Sequence, residues 1–134
     1  MIAFTDSSGE AYGTVIYIKD LDTNEVNFLM ARNKVLSDEM RKKTIPTLEL
    51  KAIEFGVETL MDVYQSIAGE TVVIPVNIES LYLFTDSTAC LGWLNSHSVK
   101  FDKVQKLSVF VRNRLDRIEE LCKVKAVHFS NVAN

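Results

Sequence analysis

Two cysteines, two histidines, two prolines, five glycines and one tryptophan are all that 134 residues contain of these types. Cys90 and Cys122 form no CxxC pair and have no His/Cys ligand spacing around them. A thiolate metal site and a disulfide framework are both excluded, and the pair reads as free thiols in a reducing compartment. No Ser-His-Asp set suggests itself. His97 falls in a polar loop and His128 in the last expected strand, where both read as structural. Cys90 is flanked by Thr, Ala, Leu and Gly, none of which lowers a thiol pKa, so it reads as core rather than nucleophile. No apolar run approaches the ~20 residues that span a bilayer. The N-terminus lacks a basic stretch followed by an apolar one, so no signal peptide is expected. There is no solenoid period, linker or low-complexity segment.

What is present is ordinary globular material, with 47% hydrophobic and 25% charged residues. The length fits one domain, 1–134, with a real core. The net charge of −3 does not announce a polyanion partner, but it is unevenly placed. Residues 1–99 carry 7 Lys/Arg against 14 Asp/Glu, whereas residues 100–117 carry 6 against 2. An acidic body with a basic segment can hold cations and a polyanion together; it is also what a solvated helix face looks like.

Periodicity divides the chain into a β-β-β-α-β-α-β order. Met1–Asp6, Ala11–Lys19 and Glu25–Val35 read as a meander of strands, separated by the turns Ser7–Glu10 and Asp20–Asn24. Leu50, Ile53, Val57, Leu60, Tyr64 and Ile67 then recur at alternating spacings of three and four, which predicts a helix over Thr47–Ile67. Thr44 or Thr47 can cap it, with Pro46 tolerated in the first turn. Gly69–Asn77 reads as a loop, Ser80–Thr85 as a buried strand, and Ala89–Leu94 as a short helix. Phe101, Val104, Leu107, Val111, Leu115, Ile118 and Cys122 give a second helical stripe, and Val124–Phe129 a last strand. Right-handed crossovers allow the first and fourth strands to lie parallel and adjacent.

The tetrapeptide Phe-Thr-Asp-Ser occurs twice, at 4–7 and 84–87, each time after an apolar run. If those two strands are neighbours, Asp6 and Asp86 emerge side by side at a point where ligands commonly bind in open α/β sheets. Glu49 is expected in the first turn of the long helix, facing the same strand ends. Glu54 and Glu58, farther along, read as solvated. Three clustered carboxylates repel one another and need protons or a cation. With no His or Cys beside them they suit Mg²⁺ or Mn²⁺. Two such ions ~4 Å apart support in-line phosphoryl displacement. Taken singly, each acid reads better as a turn cap or a surface residue; the three together favour the site.

The segments IAFTDSS…AYGTVIY, TIPTLEL, LYLFTDST…GWL and FVRNRLDRIEEL, in that order, resemble the ribonuclease H region of BEL/Pao-type retrotransposon polyproteins. TIPTLEL and FVRNRLDRI carry most of the specificity. The resemblance covers nearly the whole chain. It implies an α/β ribonuclease H-like fold, a five-stranded mixed sheet with helices packed on it, and two-metal (Mg²⁺, or Mn²⁺ in its place) hydrolysis of the RNA strand of RNA–DNA hybrids. It maps Asp6, Glu49 and Asp86 onto the catalytic, metal-holding carboxylates. The order Asp-Glu-Asp separates the chain from integrase-type sites, which run Asp-Asp-Glu. Asp6-Ser7-Ser8 separates it from exonucleases that carry Asp-x-Glu on the first strand. Two departures stand out. The chain stops at Val132-Ala133-Asn134, where the family continues to a fourth acid, and it has Pro46-Thr47-Leu48-Glu49 where the family often has Pro-Arg-Leu-Glu.

On this reading the domain is excised from a larger polyprotein and partners its reverse transcriptase domain, in a cytoplasmic retroelement particle or the nucleus, with no membrane. A hybrid is held mainly through sugar hydroxyls and phosphates. Candidate contacts are Ser7, Ser87 and Thr88 beside the aspartates, Thr44 before the helix, and Arg112, Asn113 and Arg114 in the last helix. Arg112 and Arg114 point about 200° apart, so one of them is available to pair with Asp116 or an acid of the body. The competing reading is a retroelement-derived module that has lost catalysis and binds nucleic acid or protein.

Overall fold

The computed structural model describes residues 1–69, 76–96 and 107–132. Strand β1 (Ile2–Ser7) runs antiparallel to β2 (Ala11–Lys19), in register from Ile2 opposite Tyr17 to Ser7 opposite Tyr12. Strand β3 (Val26–Val35) continues the meander, with a register shift between Ile16 and Tyr17 that adds local twist. The β2–β3 turn is built by Asp20, whose Oδ1 accepts from the amides of Asp22 and Thr23 at 2.8 and 3.3 Å. Asn24 closes it at φ 61°, a conformation asparagine tolerates better than most residues.

Helix α1 (Asp38–Arg41) is capped by Ser37, whose hydroxyl accepts from the Met40 amide at 3.2 Å. Helix α2 spans Ile45–Ala68, followed by β4 (Leu81–Thr85), α3 (Thr88–Ser96), α4 (Val109–Leu121) and β5 (Val127–Asn131). β4 lies parallel to β1 and β5 parallel to β4, giving the sheet order β3-β2-β1-β4-β5. The mixed five-stranded sheet expected from the sequence is therefore the one found.

Pleating puts alternate residues on opposite faces. Ala3, Ile16, Leu81 and Leu83 are fully buried together with Leu50, Ile53, Val57 and Leu60 of α2. Helix α4 adds Val111, Leu115 and Ile118 to the same core. A smaller cluster joins Tyr12, Leu36, Leu48, Ala52 and Phe55 at the start of α2. The intervening strand residues point to the other face, where Phe4 stacks on Phe84 at 5.3 Å and meets the edge of Tyr17 at 6.0 Å.

Most element bounds shift by a residue or two, and four changes have consequences. Helix α2 begins at Ile45, two residues before the expected start, because Thr44 ends in extended backbone and Pro46 suits the first turn. Glu49 thus lies just past the first turn rather than in it. Asp38–Arg41 forms the short helix α1, which no periodicity announces. The last strand is Val127–Asn131 rather than Val124–Phe129, since pairing with β4 fixes Leu81 opposite Val127 and leaves Val124 in the preceding turn. Helix α3 extends to Thr88–Ser96. Phe101 and Val104 lie outside the described residues, as does most of the expected loop Gly69–Asn77.

Candidate active site

Asp6 is the penultimate residue of β1, and Asp86 directly follows β4. The parallel ladder pairs Ile2 with Tyr82, Ala3 with Leu83 and Phe4 with Phe84. That ladder ends at Phe4 and Phe84, and Asp6 and Asp86 each lie two residues farther on, at the same end of the two neighbouring strands. Both are exposed. Asp6 Oδ1 accepts from the amide of Ser7 at 2.9 Å.

The approach of α2 is decided by Gly56. A Cβ there would overlap Thr5 Cγ2 and sit 3.1 Å from Leu83 Cδ1, so the bare backbone is what lets the helix rest on β1 and β4 together. Glu49, Ile53 and Gly56 follow one another at spacings of four and three, along one helix face. Glu49 is therefore on the side of α2 that meets those two strands, about 10 Å toward the N-terminus from Gly56. The same end of α2 is tied to the Asp86 turn, because the Cys90 thiol donates to the carbonyl of Pro46 at 3.3 Å. Burial pushes the Cys90 thiol up to about 11. The Ser87 hydroxyl opposes the rise, and the charges of Glu49 and Asp86 add to it. One buried sulfur thus feels both carboxylates.

Carboxylates are the donor type that a hard cation takes. Among the described residues, however, no three Asp, Glu, His or Cys side chains converge closely enough to hold an ion as they stand.

The expected substrate contacts separate into groups. Thr88 and Asn113 are exposed. Ser7 is half-buried beside Asp6. Thr44 is the exposed N-cap of α2 but makes no capping bond; its hydroxyl shares a hydrogen bond with Thr47 Oγ1 at 2.8 Å. Ser87 turns inward at 4% exposure, and its hydroxyl accepts from the Cys90 amide at 3.2 Å. Arg112 is half-buried, with its Nε enclosed and unpaired.

Arg114 is committed elsewhere. Its Nε lies 3.1 Å from Glu54 Oε2, an ion-pair distance at which the N–H is not aimed for a full hydrogen bond. Lys51 Nζ meets Glu54 Oε1 at 2.6 Å. Arg114 also lies over the Phe110 ring at 5.0 Å. The expectation that Glu54 is solvated is overturned: it is 3% exposed, held between two cations at the α2–α4 contact. Its neighbour Glu58 is half-buried and 3.9 Å from Arg117. The sequence carried a signal for this, since Leu50, Glu54, Val57 and Met61 share one helical stripe and the other three are buried.

No curated protein sequence matches the chain. Among solved structures, a foamy viral protease–reverse transcriptase in complex with dsDNA is similar at TM-score 0.64 and 15% identity, over 99% of this chain and 81% of that one. The solution structure of the PFV ribonuclease H domain gives 0.63 and 14%, over 99% and 78%. LC11-RNase H1 in complex with an RNA/DNA hybrid gives 0.60 and 14%, over 99% and 85%. At such identities the likeness is one of fold, and the fold is ribonuclease H-like. In sequence, residues 1–87 match the Pao retrotransposon-like RNaseH-like domain model. With most of the chain matched, including Asp6, Glu49 and Asp86, this protein belongs to the Pao retrotransposon-like RNaseH-like domain family.

Proposed function

We propose that this domain hydrolyses the RNA strand of RNA–DNA hybrids, using divalent cations held by Asp6, Glu49 and Asp86. The observation that supports the reading is that Asp6 and Asp86 lie at the same end of the parallel strands β1 and β4, against which α2 packs. Asp6 Oδ1 accepts from the Ser7 amide, which orients the carboxylate and leaves lone pairs on both oxygens. Mg²⁺ or Mn²⁺ ions at such a site supply charge stabilisation for the attacking and leaving oxygens of an in-line displacement. The chain's own part is to fix the carboxylates and the scissile phosphate. Ser7, Thr44 and Thr88 are the hydroxyls near the site that suit sugar and phosphate contacts, with Arg112 and Asn113 as more distant ones. The similar LC11 enzyme was solved with a hybrid, and the foamy viral protein joins this fold to a reverse transcriptase. By analogy the partners here are a hybrid and a polymerase domain of the same polyprotein, in a cytoplasmic retroelement particle or the nucleus.

A second reading, a binding module without catalysis, is favoured by one observation: the carboxylates do not converge as a trio. Cleavage of a labelled hybrid with Mg²⁺ and with Mn²⁺, beside Asp86→Asn, separates the two. Metal-dependent cutting of the RNA strand, lost in the variant, is expected. Hybrid binding with no cutting in either metal would establish the second reading.

A further inference from the structure

We infer that Ser87 and Cys90 are positioning residues that hold the Asp86 turn against the first turns of α2, and so set how near Asp86 and Glu49 come when a divalent cation binds. The inference rests on the metal-site reading above. Four residues link the two acids. After β4 ends, the Ser87 amide donates to Thr85 Oγ1 at 3.2 Å, which fixes the backbone on either side of Asp86. The Ser87 hydroxyl accepts from the Cys90 amide, and its carbonyl accepts from the Leu91 amide, both at 3.2 Å, so α3 starts in one orientation. The Cys90 thiol then reaches 44 residues back along the chain to the Pro46 carbonyl, one helical turn before Glu49. Ser87 and Cys90 are 4% and 0% exposed, so water does not compete for these bonds.

A thiol is a weak donor. Its bond to Pro46 adds little to global stability, while its length and direction set where the first turns of α2 sit against the Asp86 turn. A carboxylate pair that must share an ion is sensitive to that placement, and groups that orient ligands typically change metal affinity 10–100-fold when removed.

The test is Mg²⁺ titration of the metal-free protein, followed by the rise in melting temperature, with no nucleic acid present. Cys90→Ala should raise the half-saturating Mg²⁺ concentration about tenfold or more. Ser87→Ala should move it in the same direction, and Cys90→Ser, which keeps a donor, should recover most of the loss. Val57→Ala, a core change away from the turn, should lower the metal-free melting temperature and leave the Mg²⁺ midpoint unchanged. A wild-type midpoint in Cys90→Ala and Ser87→Ala would overturn the positioning role while leaving the metal site standing. No Mg²⁺ response in the wild type would overturn the metal reading, and this inference with it.

Discussion

Glu54 shows how a single residue can hold two helices and still look like a surface acid in the sequence. Its side chain is 4% exposed between Lys51 and Arg114, which are 23% and 28% exposed. Removing the acid leaves two half-buried cations facing each other, whereas removing either cation leaves Glu54 with the other. Glu54→Ala should therefore destabilise by about 3 kcal/mol or more in denaturant unfolding, and Arg114→Ala by clearly less. Equal losses would show that the network is not centred on Glu54. Cys90 carries the second expectation at this scale. Its folded pKa, about 11, is raised above the ordinary 9.0 of a thiol, so the folded state keeps a proton that the unfolded state gives up. That contribution is intact below pH 9 and is lost as pH rises through 11. The melting temperature should fall between pH 9 and 11, less steeply in Cys90→Val than in wild type.

At the scale of elements, the contact of α2 with β1 and β4 decides whether the acids can meet. Alanine is a better helix former than glycine by about 1 kcal/mol, so an exposed mid-helix Gly→Ala change would stabilise. At Gly56 the added methyl runs into Thr5 and Leu83 on the central strands, neither of which can swing clear. Overpacking of this kind costs about 1–3 kcal/mol. Gly56→Ala should therefore lower stability despite its helix propensity, and should weaken any Mg²⁺-induced rise in melting temperature by lifting Glu49 from the strand ends. A more stable Gly56→Ala variant would mean that the helix is free to shift.

For the molecule as a whole, two of the three described cations of the basic segment, Arg114 and Arg117, are not a free cationic surface. Arg114 and Arg117 are paired with Glu54 and Glu58 of α2. Arg41, Lys42 and Lys43, at the junction of α1 and α2, are instead exposed on the approach to Glu49. Lys43 lies over Phe110 at 4.7 Å. Lys42→Ala should therefore lower the slope of log hybrid affinity against log salt by about 1. Arg114→Ala should change stability and leave that slope alone. The reverse pattern would return the phosphate contact to α4.

Local pattern made much of this protein legible in its sequence. The period-2 runs in β1 and β2, the three-four stripe of α2 and the apolar strand β4 each report a face that must be buried, and they fixed the element order. The repeated Phe-Thr-Asp-Ser marked two strand ends, and TIPTLEL marked the helix acid. The short helix α1 has only four residues and no apolar face, so it left no periodic signal. Pairing, rather than composition, placed β5, because Val124 and Val127 are equally good strand residues. Which cations were free and which were consumed at the α2–α4 contact could not be read from spacing, since an ion pair between residues 54 and 114 exists only once the helices pack. The sequence by itself determined the order of the strands and long helices and nominated the acids. Tertiary structure alone decided that Glu54 is buried, that Cys90 reaches Pro46, and that Gly56 lets α2 rest on β1 and β4, because each depends on distances between segments far apart in the chain.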